Sequence, residues 1–562
     1  MTNTFDKSEN FKSEYCCSVV RIGELIPIEG ADKIAQTIIN GDSIVVRKDQ
    51  VKEGDILFYS SNETQLNEGF LSANNLFEVG CWEKNANAEE VKGIVADCNM
   101  LKTSIDATKK MLSTADKAIR RHQIKILSDF VKKYCSDKIT NSDTLIYEAN
   151  KYYNIESDKL KNTQTELEEK RAELKKYCGF FNKYGRVKLI RLKGIPSVGY
   201  IFSIDELKKW KDVGDVDLES MVGEDFDTID GELFVKAYVP PVKEVHNSNG
   251  QGKSDKNNRK LVKKFDRLIE GEFKFHYDTD PLAKNMHLLN PETVVTVSCK
   301  IHGSSVVIGN VKVKNKINLP IYKKVWNLIT NNRFLSKYKI QDWYEDYGPV
   351  YSSRKVIKNE YLNPKVTEGY YGVDIWTEYG ELMYPYIEKG MTIYGEIFGY
   401  LSGSDKMIQK DYDYGCQVGT NKLMVYRIST KDEEGNVKEW NVEDVYNWTV
   451  NLIKEHSELE SRLEPITILY HGKMGDMYPD IDTGTHWHEN VLEAMKNDTI
   501  RLGMELLEPF CINSVPREGI VLRMDDDPLN EAFKLKSMAF LFRESKEMDE
   551  GNADIEMNET NY

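Results

Sequence analysis

Five segments of this 562-residue chain carry side chains able to work together on phosphorus. Lys300 closes the apolar run Val295, Val297, Cys299 and is followed by Ile301, His302 and Gly303 in the string KIHG. Arg354 lies in SSRKV, Glu396 in TIYGEIFG, Glu518 in REGIVLR, and Lys534 and Lys536 in FKLKS. A lysine amine can attack phosphorus if a triphosphate is bound, a metal offsets its charge and the phosphates are gripped from several sides. An arginine suits a forked grip on phosphate or a cap on a ribose, and carboxylates suit a hard divalent cation. A lysine at a strand end is usually a solvated charge, and a glutamate such as Glu396 or Glu518 can simply pair with Arg354 or Arg523. Only the set together carries chemistry.

These groups need elements to hold them. Alternation sets Lys300 opposite Val295, Val297 and Cys299, and Val306 to Ile308 reads as a second strand after a short turn. The lysine is therefore expected at a hairpin tip. Lys534 and Lys536, two apart on a strand, share one face. Upstream, CCSVVRIGELIPI, TIINGDSIVVRK and VKEGDILFYS read as short strands between turns, a small antiparallel barrel. A helical stretch interrupts it, with Met111, Ile119, Ile124, Leu127, Val131 and Tyr134 near helical spacing and a charged helix around Lys159 to Tyr177. The fold class is α+β. We expect a flexible start (1–14), an OB-like barrel (15–83 and 184–242), a helical insertion (84–183), a linker (243–289), a second domain (290–545) and an acidic, disordered tail (546–562), its acidic composition beginning near Glu544.

Composition bounds the partners. The length implies two or three domains. Nine cysteines without a CxxC pair, no run of 18 apolar residues and a polar N-terminus read as a soluble protein of a reducing, cytoplasmic compartment with no membrane partner. A formal charge of -15 opposes a polyanionic partner, yet between Val311 and Lys358 eleven lysines and arginines stand against three acids, interleaved with eight aromatics. That pattern suits a nucleic-acid backbone and its bases, or equally a solvated face over core aromatics. His486 and His488 would share a strand face, but no further ligand lies at zinc spacing.

In this order and spacing, KIHG, SSR, YGEI, EGIVLR and KLKS resemble motifs I, Ia, III, IV and V of the covalent nucleotidyltransferase superfamily of RNA ligases, DNA ligases and capping guanylyltransferases. Histidine after the lysine resembles the RNA ligases. DKMIQKDYDYG, PITILYHGKMGDMYP and VPREGIVLR are similar to the phage and Deinococcus-type RNA ligases with an OB domain ahead of the transferase domain. Too few residues follow the last motif for the trailing OB domain of DNA ligases and capping enzymes.

The resemblance implies a C-terminal nucleotidyltransferase domain of ATP-grasp-like antiparallel sheets and an ATP-dependent RNA ligase. In it Lys300 takes AMP from ATP, AMP passes to an RNA 5′-phosphate, and an RNA 3′-hydroxyl displaces AMP. Lys534 or Lys536, with desolvation, would lower the Lys300 pKa. Glu518 and Glu396 would hold Mg2+ or Mn2+, Glu396 also meeting the ribose, and Ile301, His302, Gly303 and Arg354 would line the nucleotide. Tyr426, in KLMVYRIS, corresponds to the aromatic of motif IIIa that packs on the base. Cys299 and Arg427 stand where the family often has acidic residues, which leaves ATP over GTP open. RNA ends, a nicked RNA duplex or an RNA–DNA hybrid are the implied partners, and the helical insertion could self-associate or contact RNA. The rival readings are a guanylyltransferase using GTP and a non-catalytic RNA-end-binding protein of the same fold.

Overall fold

Two compact units divide the chain in the computed structural model, which describes residues 4–135, 139, 141–240, 267–330, 340–360, 371–525, 527 and 531–550. The first unit comprises residues 1–25, 47–188 and 198–238, the second 26–46, 189–197 and 239–562. This partition differs from the one expected: residues 26–46 and 189–197, read as part of the barrel, group with the second unit. There, Lys496 bonds the Gly41 carbonyl at 2.5 Å and Asp42 at 2.8 Å, and Ser43 bonds the Pro196 carbonyl at 2.7 Å.

In the first unit Cys17–Arg21 and Ile56–Ser60 pair antiparallel, flanked by Tyr200–Phe202 and Asp225–Phe226 in a four-stranded sheet. Smaller two- and three-stranded sheets lie beside it around a core of Phe58, Phe70, Phe202, Phe226 and Phe234. The insertion is a helical hairpin. Ala88–Arg120 and Ser142–Leu174 run antiparallel, Cys98 and Ile105 meeting Leu167 at one end, Ala115 and Ala118 meeting Leu145 and Ala149 at the other. Small residues at the second seam let the helices approach closely, and Asn141 caps the return helix by accepting from the Asp143 and Thr144 amides.

The second unit is built on two antiparallel-rich sheets. One has the order Asp280–Pro281, Ala532–Lys536, Gly519–Met524, Val294–Lys300, Ile468–Lys473. The other runs Trp343–Ser352, Ser304–Lys316, Met391–Gly399, Asn421–Lys431, Val437–Glu439. Each buries one face under helices. Val295, Val297, Ile520, Leu522, Phe533 and Leu535 pack on Trp487, Val491 and Met495, while Ile308, Ile393, Ile397 and Val425 pack on Ile375, Trp376 and Tyr379. Each such valine or isoleucine contributes roughly 1.5–3 kcal/mol by leaving water. Between the remaining faces, Phe398 and Met424 of the second sheet share a cluster with Ile301 and with Ile468 of the first.

Several expectations change. Val294–Lys300 and Ser304–Lys316 are not a hairpin: they belong to different sheets, and Lys300 stands where the chain crosses from one to the other. The expected linker divides. Residues 241–266 lie outside the described residues, but Leu282, Met286 and Leu289 are core residues, and Asp280 pairs parallel with Phe533. The supposed tail begins as the helix Met538–Asp549, since Phe540 and Met548 give it a buried stripe; residues 551–562 are outside the described residues. His486 and His488 lie at the start of the helix Trp487–Asn497, not on a strand, because Trp487, Val491 and Met495 recur at helical spacing.

Candidate functional site

Register places the lysines. Lys300 sits opposite Gly519, and Gly519 opposite Lys536, so both amines rise from one face of the sheet two strands apart, roughly 10 Å. Gly519 has φ +144, and a Cβ there would lie 2.1 Å from the Leu535 carbonyl oxygen, so only glycine lets the strand Ala532–Lys536 close on it. Lys534 shares that face two residues further along, the buried Phe533 and Leu535 pointing the other way.

Glu518, immediately before this glycine, is only 4% exposed, and its Oε1 lies 2.7 Å from the Lys300 Nζ. It therefore pairs with the lysine, not with Arg354 or Arg523. Its second oxygen, Oε2, is buried and has no hydrogen-bond partner among the described residues. Burial acts to raise the Glu518 pKa, but Lys300, His302 and Lys536 outweigh it and hold the carboxyl below its ordinary value. Glu396 comes from the other sheet, opposite Ser305 and accepting from its hydroxyl at 3.2 Å.

The charge state of Lys300 corrects the sequence expectation. Burial and Lys536 do act to lower its pKa, yet the attraction of Glu518 and Glu396 prevails, and the amine is raised above its ordinary value. With two carboxylates facing it, Lys300 rests as an ammonium.

The loop after Lys300 is tightly held. A Cβ on Gly303 would sit 2.4 Å from the Ile397 carbonyl oxygen and 2.8 Å from the Glu396 Cγ, so this glycine lets the Glu396 strand pass close. His302 is wedged edge-on between Tyr412 and Phe540, each ring 5.1 Å away, and burial lowers its pKa, keeping it neutral. Its backbone N–H donates to the Tyr414 hydroxyl at 2.8 Å, and Gln409 donates to the Gly303 carbonyl at 2.6 Å. Gln409, Tyr412, Tyr414, Phe540 and Glu544 were not singled out from sequence. The first three lie in DKMIQKDYDYG, a stretch read for its resemblance as a whole, in which two tyrosines three to five residues after a glutamine are the available signal. Glu544, bonding the Lys536 amine at 2.9 and 3.0 Å, was hidden by the acidic composition around it.

Other candidates are placed apart from the pair. Arg354 forms an ion pair with Asp278. Tyr426 is the extra residue of a β-bulge: opposite it, Tyr394 pairs with Arg427 and the adjacent Gly395 with Val425. Its ring packs in the cluster of Ile301 and Ile468, and its hydroxyl shares a 3.0 Å hydrogen bond with His276 Nδ1. Arg427 is absorbed by Glu439 at 2.9 Å and stacks 3.5 Å over the Tyr277 ring. Burial pushes the Cys299 thiol up to about 11. Of the basic and aromatic stretch, Lys312, Lys314 and Lys316 share a face with Tyr347 and Trp343, whereas Tyr351 and Lys358 are buried, and residues 331–339 are outside the described residues.

No family model and no curated protein matches this chain. Solved structures similar to it include an apo variant of a Naegleria gruberi RNA ligase, 14% identical with a TM-score of 0.44, covering 95% of this chain and 100% of that one. A variant of that ligase with ATP and Mn is 13% identical with a TM-score of 0.44, covering 95% and 99%. The ligase with PPi is 13% identical with a TM-score of 0.43, covering 95% and 100%.

Proposed function

We propose that this chain is an ATP-dependent RNA ligase that joins an RNA 3′-hydroxyl to a 5′-phosphate through an AMP carried on Lys300. The observation that carries the reading is the pair of Lys300 and Glu518, 2.7 Å apart, brought from positions 218 residues apart in sequence and facing Glu396 from the other sheet. A purely structural ion pair has no need of a second carboxylate or of a carboxylate oxygen left buried without a partner among the described residues.

The residues do the following. Lys300 supplies the nucleophile: its nitrogen bonds the α-phosphorus, the bond to pyrophosphate breaks, and a phosphoramidate forms. As long as Glu518 and Glu396 face it the amine holds its proton; once both carboxylates are engaged elsewhere, burial and Lys536 favour loss of that proton to water, leaving the neutral, nucleophilic amine. Lys534 and Lys536 share the Lys300 face and offer cationic donors to phosphate oxygens, Lys536 after release from Glu544. Gly303 and the clamp on His302 hold the lysine loop against the Glu396 strand. Tyr426 offers an aromatic wall for the base. Glu518 Oε2, buried and without a partner among the described residues, would hold a divalent cation together with Glu396, both hard oxygen donors, and the cation would supply charge against the triphosphate. The first unit, read as an OB-like module, would hold the RNA near its ends.

Incubation of the full chain with ATP and magnesium, followed by intact-mass measurement, tests this. Wild type is expected to gain one AMP and Lys300→Ala none; an adduct in the variant overturns the nucleophile. Retention of labelled GMP but not AMP would favour the guanylyltransferase.

A further inference from the structure

Arg523 is, after Glu518, a second buried charged group near Lys300 with polar atoms that have no hydrogen-bond partner among the described residues. It lies on the strand Gly519–Met524, opposite Thr296 on one side and Ala532 on the other, and so shares the face of Lys300, roughly 13 Å along the strands from it. It is 3% exposed, and its Nε and Nη1 have no hydrogen-bond partner among the described residues. Burial pushes its pKa down to about 10, the direction for a guanidinium short of compensating acceptors. Beside it Asp525 binds Thr296 and, at 3.2 Å, His471 through Oδ2, while its Oδ1 is also buried without a partner among the described residues. Buried donors and acceptors are almost always satisfied, and leaving a charged one bare is costly. Two of opposite kind, side by side on the face of a candidate nucleophile, mark a ligand's place.

The ligand's chemistry follows from what surrounds them. Arg427 is neutralised by Glu439 and Arg523 has Asp525 for a neighbour, so the locale holds no excess positive charge for a phosphate, and Asp525 would repel one. What is missing is a neutral edge that both accepts and donates. The Tyr426 ring centroid lies 5.9 Å from the Arg523 guanidinium, an aromatic wall beside that edge. We infer that Arg523 and Asp525 read the nucleobase of the bound nucleotide: Arg523 donates to a ring nitrogen of adenine and Asp525 Oδ1 accepts from its 6-amino group. A nucleotide whose α-phosphate meets Lys300 extends along the sheet face and presents its base there. The inference rests on the nucleotide reading above and adds to it the pair that selects the base.

Equilibrium dialysis of the full chain against ATP, purine riboside triphosphate (no 6-amino group) and ribose 5-triphosphate (no base) tests it. Arg523→Met is expected to weaken ATP binding roughly 10- to 100-fold while leaving ribose 5-triphosphate unchanged. Asp525→Leu, which removes the acceptor, is expected to erase the preference for ATP over purine riboside triphosphate. Free of nucleotide, Arg523→Met should melt no lower than wild type, because an uncompensated buried charge has been removed. Equal losses for ATP and ribose 5-triphosphate, an unchanged ATP affinity, or a lower melting temperature of the nucleotide-free variant would each overturn the base-reading role. If wild type binds ATP but forms no adduct on Lys300, the ligase reading fails and the base-reading pair is still judged by these ratios. Wild type that binds none of the three removes both.

Discussion

Two buried ion pairs, one in each unit, show how differently the same chemistry can be set. In the first unit Arg186 and Glu63 meet through two bonds of 2.6 and 2.8 Å, their side chains 1% and 4% exposed, with the Tyr238 ring 5.0 Å from the guanidinium. Both oxygens of Glu63 are used. In the second unit Lys300 meets Glu518 through a single contact, a quarter of the lysine side chain reaches solvent, and one carboxylate oxygen is unbonded among the described residues. The first pair is closed: both carboxylate oxygens meet donors, the geometry that best offsets the desolvation of a buried pair. The second is open, and an open pair can exchange one partner for another.

That contrast can be broken by substitution. The largest expected effect is on chemistry: Lys300→Ala and Glu518→Gln should both abolish the covalent AMP adduct seen by intact mass, and a Glu518→Gln protein with an undiminished adduct would end the comparison. Next comes stability. Glu63→Gln removes one member of the closed pair and should cost about 3–5 kcal/mol in denaturant unfolding. Lys300→Ala should cost clearly less, since Glu518 then has only to find water or Lys536; the reverse order would show that the open pair holds the fold. Gly303→Ala, whose new methyl would clash with the Ile397 carbonyl and Glu396, should slow adduct formation and also lower the melting temperature, by about 1–3 kcal/mol of stability.

The smallest effects are those of pH. The Glu518 carboxyl is depressed below its unfolded value of 4.5, so its stabilisation is present above that pH and lost as pH falls through the lower folded value. Lys300 is raised above 10.5, so its share is present below that pH and lost as pH rises through the folded value. His302 is depressed below 6.5, so the unfolded chain binds its proton first and stability declines below that pH. Melting curves of Glu518→Gln should lose the acid-side slope contributed by that carboxyl, and those of Lys300→Ala the alkaline-side one. Unchanged slopes would show that the pair does not titrate as a unit.

Much of the site's raw material is legible in the amino-acid sequence. Strand alternation correctly sets Lys300 away from Val295 and Val297 and puts Lys534 with Lys536, because side-chain direction depends only on the parity of neighbouring residues. The long helices of the insertion follow from their periodicity. The expectations that fail share a cause. Taking Lys300 for a hairpin tip assumes that consecutive strands pair, and composition hides both the packed segment 267–289 and the helix that brings Glu544 to Lys536. The protonation of Lys300 escapes the sequence because the lysines are visible as neighbours in a motif, whereas the nearness of Glu396 depends on a second sheet.

The sequence alone determined which side chains could do phosphoryl chemistry, their order, and which face of its strand each occupies, since these depend on contacts within a few residues. Only the tertiary structure decided that Lys300 lies at the crossing between two sheets, that two carboxylates outweigh burial and keep it charged, and that Arg523 and Asp525 are buried near each other, each with a polar atom that has no partner among the described residues. Those outcomes depend on distances between residues up to about 230 positions apart, and electrostatic energy is set by separation in space and by the water that packing excludes.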